Sequence, residues 1–486
     1  MSHEVSQSDG GNPLTEPLVP YIPLSAMPYA LRHEPLTEID WRSLSPEMRE
    51  PLLDLQEQHF APTGLAVEIA MSIQNAVRSS LDRRNPLSAA ERKRINLLSL
   101  QGALDDSQAL VALSNPANGG IVAAETGLGK TTILRQALKL IAPQQTFKHG
   151  RSETCGWSKL KQVLYLHIDF PSNGTRWALI QRLAGGLDAI LGTDYASKCL
   201  RLRNVDAALA FVMSLLAQHR VGLVVVDEVQ EDSFASSPLR WEFARFFLSL
   251  LNLGIPIVLC GHPAAFEVLG QVAQVMRRFS GIGYFKLDRA KSQSEPWWEK
   301  AFVRGAMRFN LCDTSPDKDV IATGAQVVSA GVPGIFVKLY LEAQRIALRR
   351  GGTSVALSAS DFQRACNSPR TIQLIKMAQW LSGATSNTGY ADLSREPPQK
   401  NNAATSGKTT ASRVPHSPDV ASIVTKLRRA DKQDRNRSAK RDSKNEELLK
   451  NLSADDIRVV ERSLANLAAL EEHQAQLTLE AKSPKP

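Results

Sequence analysis

The chain has 486 residues, 43% hydrophobic and 22% charged, which is ordinary for a protein with several folded units and at least one large core. Lys and Arg outnumber Asp and Glu by 58 to 49, a formal charge of +9 that fits a polyanionic partner. Five cysteines, odd in number and without a C-x-x-C pair, exclude a disulfide framework and predict reduced thiols. No apolar run approaches the roughly 20 residues of a membrane span. The N-terminus lacks the cationic and apolar regions of a signal peptide, so a soluble cytoplasmic protein is expected.

In chain order, residues 1–40 carry six prolines and little periodicity, which predicts an extended arm, disordered or laid along a partner. Residues 41–100 turn helical: Leu65, Ile69, Ile73 and Val77 recur at helical spacing, and Ser88 to Glu91 reads as a capping box. The segment 101–290 alternates short apolar runs with helical patterns. The runs are Ile121–Ala124, Val163–Ile168, Leu223–Val226, Ile257–Leu259 and Tyr284–Leu287. Continuous apolar strands separated by helices predict an α/β core with a five-stranded parallel sheet buried on both faces. Residues 291–383 read as a helical lid, in which one helix from about Ile335 stops at Gly351-Gly352.

Residues 384–445 are rich in Ser, Thr, Asn, Pro and Lys and read as a flexible linker. Between Lys426 and Arg441 stand eight basic residues against two acidic ones, either a solvated charge run or a contact to DNA or an acidic partner. The segment 446–486 holds Ile457, Val460, Leu464 and Leu467 at helical spacing. An amphipathic helix alone after a linker points to a docking partner.

The residues that carry chemistry begin with Ala124-Glu125-Thr126-Gly127-Leu128-Gly129-Lys130-Thr131-Thr132, after a strand and opening a helix. Glycines let consecutive N–H groups turn around a phosphate, and the helix N-terminus adds positive partial charge. Lys130 would reach the β- and γ-phosphates of ATP, and the Thr131 hydroxyl would ligate Mg²⁺. Ala124 stands where a phosphate-binding loop usually begins with Gly. Downstream, the buried strand Leu223–Val226 ends in Asp227-Glu228, with Asp227 expected in the Mg²⁺ shell and Glu228 polarising the attacking water. Together these predict a P-loop ATPase.

Three further positions follow. The next strand ends in Gly261-His262-Pro263, where a polar residue would sense the γ-phosphate; His262 as a mere strand cap is the competing reading. Arg277 and Arg278 suit an arginine finger inserted into a neighbouring subunit's site, or else a solvated helix end. Lys338 either leans over the nucleotide from the lid or is an exposed lysine on an amphipathic helix.

The order and spacing of these residues resemble the TnsC family, AAA+ ATPase regulators of heteromeric transposases, and more distantly TniB. The resemblance spans about residues 85 to 360. It includes Ile168-Asp169-Phe170-Pro171-Ser172-Asn173-Gly174-Thr175, Leu191-Gly192-Thr193-Asp194-Tyr195, Asp227-Glu228-Val229-Gln230 and Gly261-His262-Pro263. It continues through Arg277 to Gly283 and from Gly334 to Tyr340, then Ala343-Gln344. The resemblance implies a bacterial protein that loads on double-stranded DNA as an ATP-bound ring or filament. It would answer a TnsD/TniQ-like target-selection protein, recruit TnsA/TnsB-like transposase subunits, and disassemble on hydrolysis. It also implies Lys130 and Thr131 on nucleotide and Mg²⁺, Asp227 and Glu228 on metal and water, and Arg277 or Arg278 acting in trans. His262 stands where the family would be expected to carry Thr or Asn.

DNA contact would be to phosphates, sequence-tolerant and salt-sensitive, with Arg176, Lys198, Arg201 and Arg203 as candidates. Two other functions remain open on the residues alone. One is a helicase loader or replication initiator; the other is an ATP-binding DNA scaffold with little turnover.

Overall fold

A computed structural model describes residues 11–99, 116–202, 204–230, 240–270, 273–314, 318–352, 354–383 and 393. Five parallel strands form one sheet in the order β4-β5-β6-β1-β7: β1 (Gly119–Ala124), β4 (Leu166–Asp169), β5 (Val224–Val229), β6 (Ile257–Gly261) and β7 (Gly283–Leu287). β1, β5 and β6 lie inside, and their residues are buried almost throughout. The two-residue period of a strand divides them between two cores. Ile121, Ala123, Val224, Val226, Ile257 and Leu259 meet Leu183 and Leu187 of helix Arg176–Leu191, Val212 of helix Val205–Gln218, and Phe243 and Phe247 of helix Arg240–Asn252. On the other face, Val122, Ala124, Val225 and Val258 meet Leu134 and Leu138 of helix Lys130–Ile141.

The apolar run Val163–Ile168, expected as one strand, is two. β3 (Leu160–Val163) pairs antiparallel with β2 (Thr146–His149), and only β4 joins the main sheet. Leu164 N–H donates to Gln145 O at 2.9 Å, and Leu166 N–H to Leu223 O at 2.8 Å. Hydropathy is continuous across that point, but the backbone changes hydrogen-bonding partners there. The short hairpin it forms carries no alternation strong enough to be read from sequence.

The arm, expected to be extended, is instead a run of turns with a short helix at Met27–Leu31 and a 3-10 turn at Pro35–Glu38, and the surface it follows is its own chain's. Leu14, Leu18, Met27 and Leu31 are buried against helix Gly64–Arg83 and helix Lys130–Ile141. Gln74 clamps Ile22 through both its N–H (3.0 Å) and its carbonyl (2.9 Å), and Gln162 Nε2 donates to Leu14 O at 3.0 Å. Helix Gly64–Arg83, capped by the Thr63 hydroxyl on Ala66 N–H at 3.3 Å, buries Ile69, Ile73, Val77 and Leu81 on the same sheet face as helix Lys130–Ile141. The next helix starts at Ala89, but Glu91 does not turn back to Ser88, whose N–H goes to Asn85 O. Its carboxylate instead takes Arg94 at 2.6 and 2.8 Å and Arg220 at 3.0 Å, all three residues buried.

In the segment expected as a lid, helices Lys318–Ser329, Pro333–Arg350 and Ala359–Cys366 pack around Trp298, Phe309, Phe336, Leu339 and Tyr340, while helix Ile372–Leu381 buries Ala378, Trp380 and Leu381 in the core shared with helix Lys130–Ile141. Gly351 ends helix Pro333–Arg350 with φ +71°, a conformation that favours glycine. Residues 34–50 are bound to the lid by Arg49–Asp313 (2.8 Å), Glu34–Arg308 (2.9 Å) and Glu50–Arg349 (2.6 Å). The cysteines are free thiols. Among the described residues no helix is long and apolar enough to cross a membrane. Apart from Leu393, which is buried, the linker and C-terminal helix expected at 384–445 and 446–486 lie outside the described residues.

Candidate functional site

Three parallel strands deliver their carboxyl ends to one place. β1 runs out at Ala124 into the loop that ends at Gly129, where helix Lys130–Ile141 begins. Gly127 and Gly129 take φ +86° and +87°, which turn the backbone around the space a phosphate would fill. Leu128 is buried between them and fixes the loop to the core. Ala124 is the last strand residue, buried and without positive φ, so this position does not need the glycine that usually opens the loop. Glu125 is half-buried; Thr126 and Thr132 are exposed. Lys130 has no hydrogen-bond or ion-pair partner among the described residues, leaving its ammonium available to an anion.

β5 brings Asp227 and Glu228 beside this loop. Between Val226 and Val229 the pairing with β6 slips into a bulge. Glu228 occupies it with φ +55°, a conformation that costs a non-glycine residue roughly 1–3 kcal/mol and lifts its exposed carboxylate out of the strand. Gly261 permits the bulge, because a side chain there would collide with the Val229 carbonyl. Asp227 is 1% exposed. Its Oδ2 accepts from the Thr131 hydroxyl at 2.8 Å and its Oδ1 from Glu228 N–H at 2.8 Å. Burial alone would raise its pKa, but donors from His167, Cys260, Thr131 and the Glu228 backbone outweigh it and hold the carboxyl well below the usual range. The same burial, with Asp227 beside it, pushes the Cys260 thiol far up, so it stays protonated.

His262 emerges between the two strands just described, since Gly261 pairs with both Ala123 and Val229. Its N–H donates to Val229 O at 2.9 Å, and its Nδ1 accepts from Ala264 N–H at 3.3 Å, capping helix Pro263–Gly270. Its Nε2 is buried with no partner. One ring nitrogen of His262 thus caps the helix that follows rather than the strand, and the other has no hydrogen-bond partner.

The sequence-predicted cations do not converge on this centre. Phe279 packs on Gly119, the first residue of β1, so Arg277 and Arg278 at the end of helix Ala273–Phe279 sit at the opposite end of that strand from the loop. Arg277 is exposed and Arg278 half-buried. Lys338 is exposed on helix Pro333–Arg350, one turn beyond Gly334, whose N–H donates to Gly127 O at 2.9 Å. Of the DNA candidates, Arg176 lies 3.7 Å from Asp206, Lys198 stands over the Tyr195 ring at 5.7 Å, Arg201 is exposed, and Arg203 falls outside the described residues. Tyr195 Oη contacts His219 Nε2 at 2.9 Å near the start of β5, whereas Asp206 reaches Arg176 past the end of β4. The chain between them thus runs back along helix Arg176–Leu191, carrying Lys198 and Arg201 with it.

Sequence reading missed two participants. The Gly334–Gly127 bond joins backbone atoms, which leave no signature. His167, by contrast, is a polar residue in a buried strand on the same face as Asp227, and that placement was legible. Among the described residues, no three His, Cys, Asp or Glu side chains form a metal cluster. The donors that fit Mg²⁺ are Thr131 and Asp227, a hydroxyl and a carboxylate suited to a hard cation that keeps most of its waters.

No curated protein matches the sequence. Among solved structures the chain is similar to Cdc6p from Pyrobaculum aerophilum, with 16% identity over 58% of this chain and 67% of that one, at a TM-score of 0.36. It is also similar to Aeropyrum pernix Orc1 in complex with DNA, with 16% identity, 62% and 71% coverage, and a TM-score of 0.35. For Drosophila ORC bound to DNA the identity is 13%, the coverage 63% and 71%, and the TM-score 0.33. The family model of the AAA domain matches residues 114–269, so the segment holding β1 to β6 carries an AAA domain, with the P-loop NTPase fold that such a domain implies.

Proposed function

We propose that this chain is an ATP-hydrolysing regulator of DNA transposition that assembles with its own kind on duplex DNA. In this reading ATP with Mg²⁺ supplies the phosphoanhydride and the charge-neutralising cation. The loop N–H groups from Thr126 to Thr132 cradle the phosphates, Lys130 pairs the β- and γ-oxygens, and Thr131 and Asp227 hold the metal. Glu228 takes a proton from the water it orients. In this reading His262 Nε2 would sense the γ-phosphate from β6, and Lys338 would be brought to it from helix Pro333–Arg350.

The observation that carries self-assembly is the separation of Arg277 and Arg278 from their own loop by the length of β1. A cation there serves hydrolysis only in a neighbouring copy, and a ring or filament on DNA supplies that neighbour. The transposition role, with TnsA/TnsB-like and TniQ-like partners, rests on the resemblance along residues 85 to 360. Lys198 and Arg201, exposed beside helix Arg176–Leu191, are the phosphate contacts this reading favours.

Mixing two inactive variants tests the trans arrangement. Lys130→Ala keeps its arginines and loses its site; the double variant Arg277→Ala/Arg278→Ala does the reverse. Restored turnover in the mixture supports the reading, and a mixture as dead as its parts sinks it.

A further inference from the structure

The Asp227 carboxylate is held by residues that all have other tasks. Thr131, on Oδ2, is the hydroxyl expected to meet the metal, and the Glu228 N–H, on Oδ1, belongs to the strained bulge whose side chain orients water. Cys260 contributes only a weak thiol donor. A carboxylate that must keep one orientation as a cation arrives needs an anchor from an element that stays still.

β4 supplies one. Its pairing with β5 is regular over Leu166↔Val224, His167↔Val225, Ile168↔Val226 and Asp169↔Asp227. This register places His167 on the same face as Asp227 and diagonally across from it. The His167 Nε2 lies 3.5 Å from Asp227 Oδ2, at the outer limit of hydrogen bonding, and is buried without another partner. The ring also borders a cavity of about 780 Å³, lined by Arg135, Asp169, Trp177 and Gln181.

We propose that His167 is a positioning residue for Mg²⁺: its Nε2–H donates to Asp227 Oδ2 and keeps the carboxylate aimed at the cation while Thr131 engages the metal. A buried imidazole N–H left 3.5 Å from a buried carboxylate gains a full charge-assisted bond by a small shift. That bond would form most fully in the metal-loaded state. The inference rests on the assignment of Thr131 and Asp227 to the metal.

The test measures a fluorescent ATP analogue binding to the full chain, first in EDTA and then across a Mg²⁺ titration, with Mn²⁺ binding followed by electron paramagnetic resonance. His167→Leu keeps the bulk and removes the donor. The expected result is unchanged affinity in EDTA with a Mg²⁺ midpoint raised about tenfold or more, and Mn²⁺ affinity weakened in parallel. His167→Gln, which carries an N–H at similar reach, should recover most of the loss, and His167→Asn, too short to reach, should not. A folded His167→Leu or His167→Asn with the wild-type Mg²⁺ midpoint overturns the proposal, and the Asn variant decides alone if the Leu variant does not fold. Asp227→Asn separates the two layers of the argument. If it abolishes the Mg²⁺ response while the His167 variants do not, only the role of His167 falls. If Asp227→Asn leaves the response intact, the metal assignment itself is wrong.

Discussion

The Gly334 N–H donates to the Gly127 carbonyl at 2.9 Å, so the first turn of a lid helix is hydrogen-bonded to the middle of the phosphate loop. Helix Pro333–Arg350 carries Lys338 on its next turn and buries Phe336, Leu339, Tyr340, Ala343, Ala347 and Leu348 behind it, and Val332 packs against Gly127. A methyl group at position 334 would press on the Gly127 carbonyl at 3.0 Å, and one at 127 would meet Val332 and oppose φ +86°. Gly127→Ala should therefore weaken nucleotide binding by about tenfold, the equivalent of roughly 1.4 kcal/mol of backbone strain. Isothermal titration with ADP checks this, and an unchanged dissociation constant contradicts it.

Glu228 stands in a left-handed conformation immediately after the buried Asp227 carboxylate. Replacing its carboxylate with an amide keeps the bulge and removes the base. Glu228→Gln should bind nucleotide as the wild type does and hydrolyse it on the order of 10²–10⁴ times more slowly. Steady-state phosphate release beside a binding curve separates the two effects. Assemblies on DNA should correspondingly outlive the ATP supply, whereas a scaffold without turnover would show no change.

Lys198 and Arg201 are exposed along the segment that returns beside helix Arg176–Leu191. If both touch phosphates, Lys198→Ala/Arg201→Ala should weaken binding to duplexes of any sequence. It should also lower the slope of log affinity against log salt by about 2, since each phosphate that a cation neutralises adds about 0.9. Fluorescence anisotropy across a salt series gives that slope. An unaltered slope removes these positions from the interface.

Beneath the sheet, Glu91 is the acid that both Arg94 and Arg220 bind, while Arg84 is fully buried nearby with its guanidinium on Ser80 Oγ and Val221 O. Glu91→Gln would leave guanidinium charge uncompensated in the interior. A loss of roughly 3–5 kcal/mol of stability is expected, read from urea unfolding, far more than a surface pair would contribute. Unfolding at the wild-type midpoint would show that backbone carbonyls alone suffice.

The parallel sheet and the nucleotide loop were legible because each depends on local patterning. Val224-Val225-Val226-Asp227 reads as a strand buried on both faces that ends in acid, and Gly127-Leu128-Gly129-Lys130-Thr131 reads as a loop opening a helix. What escaped was set by partners distant in the chain. The prolines of residues 1–40 pointed to an extended arm, but not to the turns and the short helix Met27–Leu31 found there, nor to Gln74 and Gln162 holding that backbone to its own core. Glu91 fitted a capping box by spacing, yet Arg220, far along the chain, claimed its carboxylate. The break between β3 and β4 depends on Gln145 and Leu223 carbonyls that no hydropathy pattern registers.

The central claim is ATP-controlled assembly on DNA, and mass photometry with negative-stain microscopy on a short duplex tests it most directly. The protein would be compared without nucleotide, with ADP and with a non-hydrolysable ATP analogue, with Lys130→Ala as the control. The account predicts rings or filaments on DNA with the analogue alone and none from the variant. A protein that stays monomeric on DNA in every nucleotide state would contradict it, leaving a P-loop NTPase whose arginines serve no neighbour.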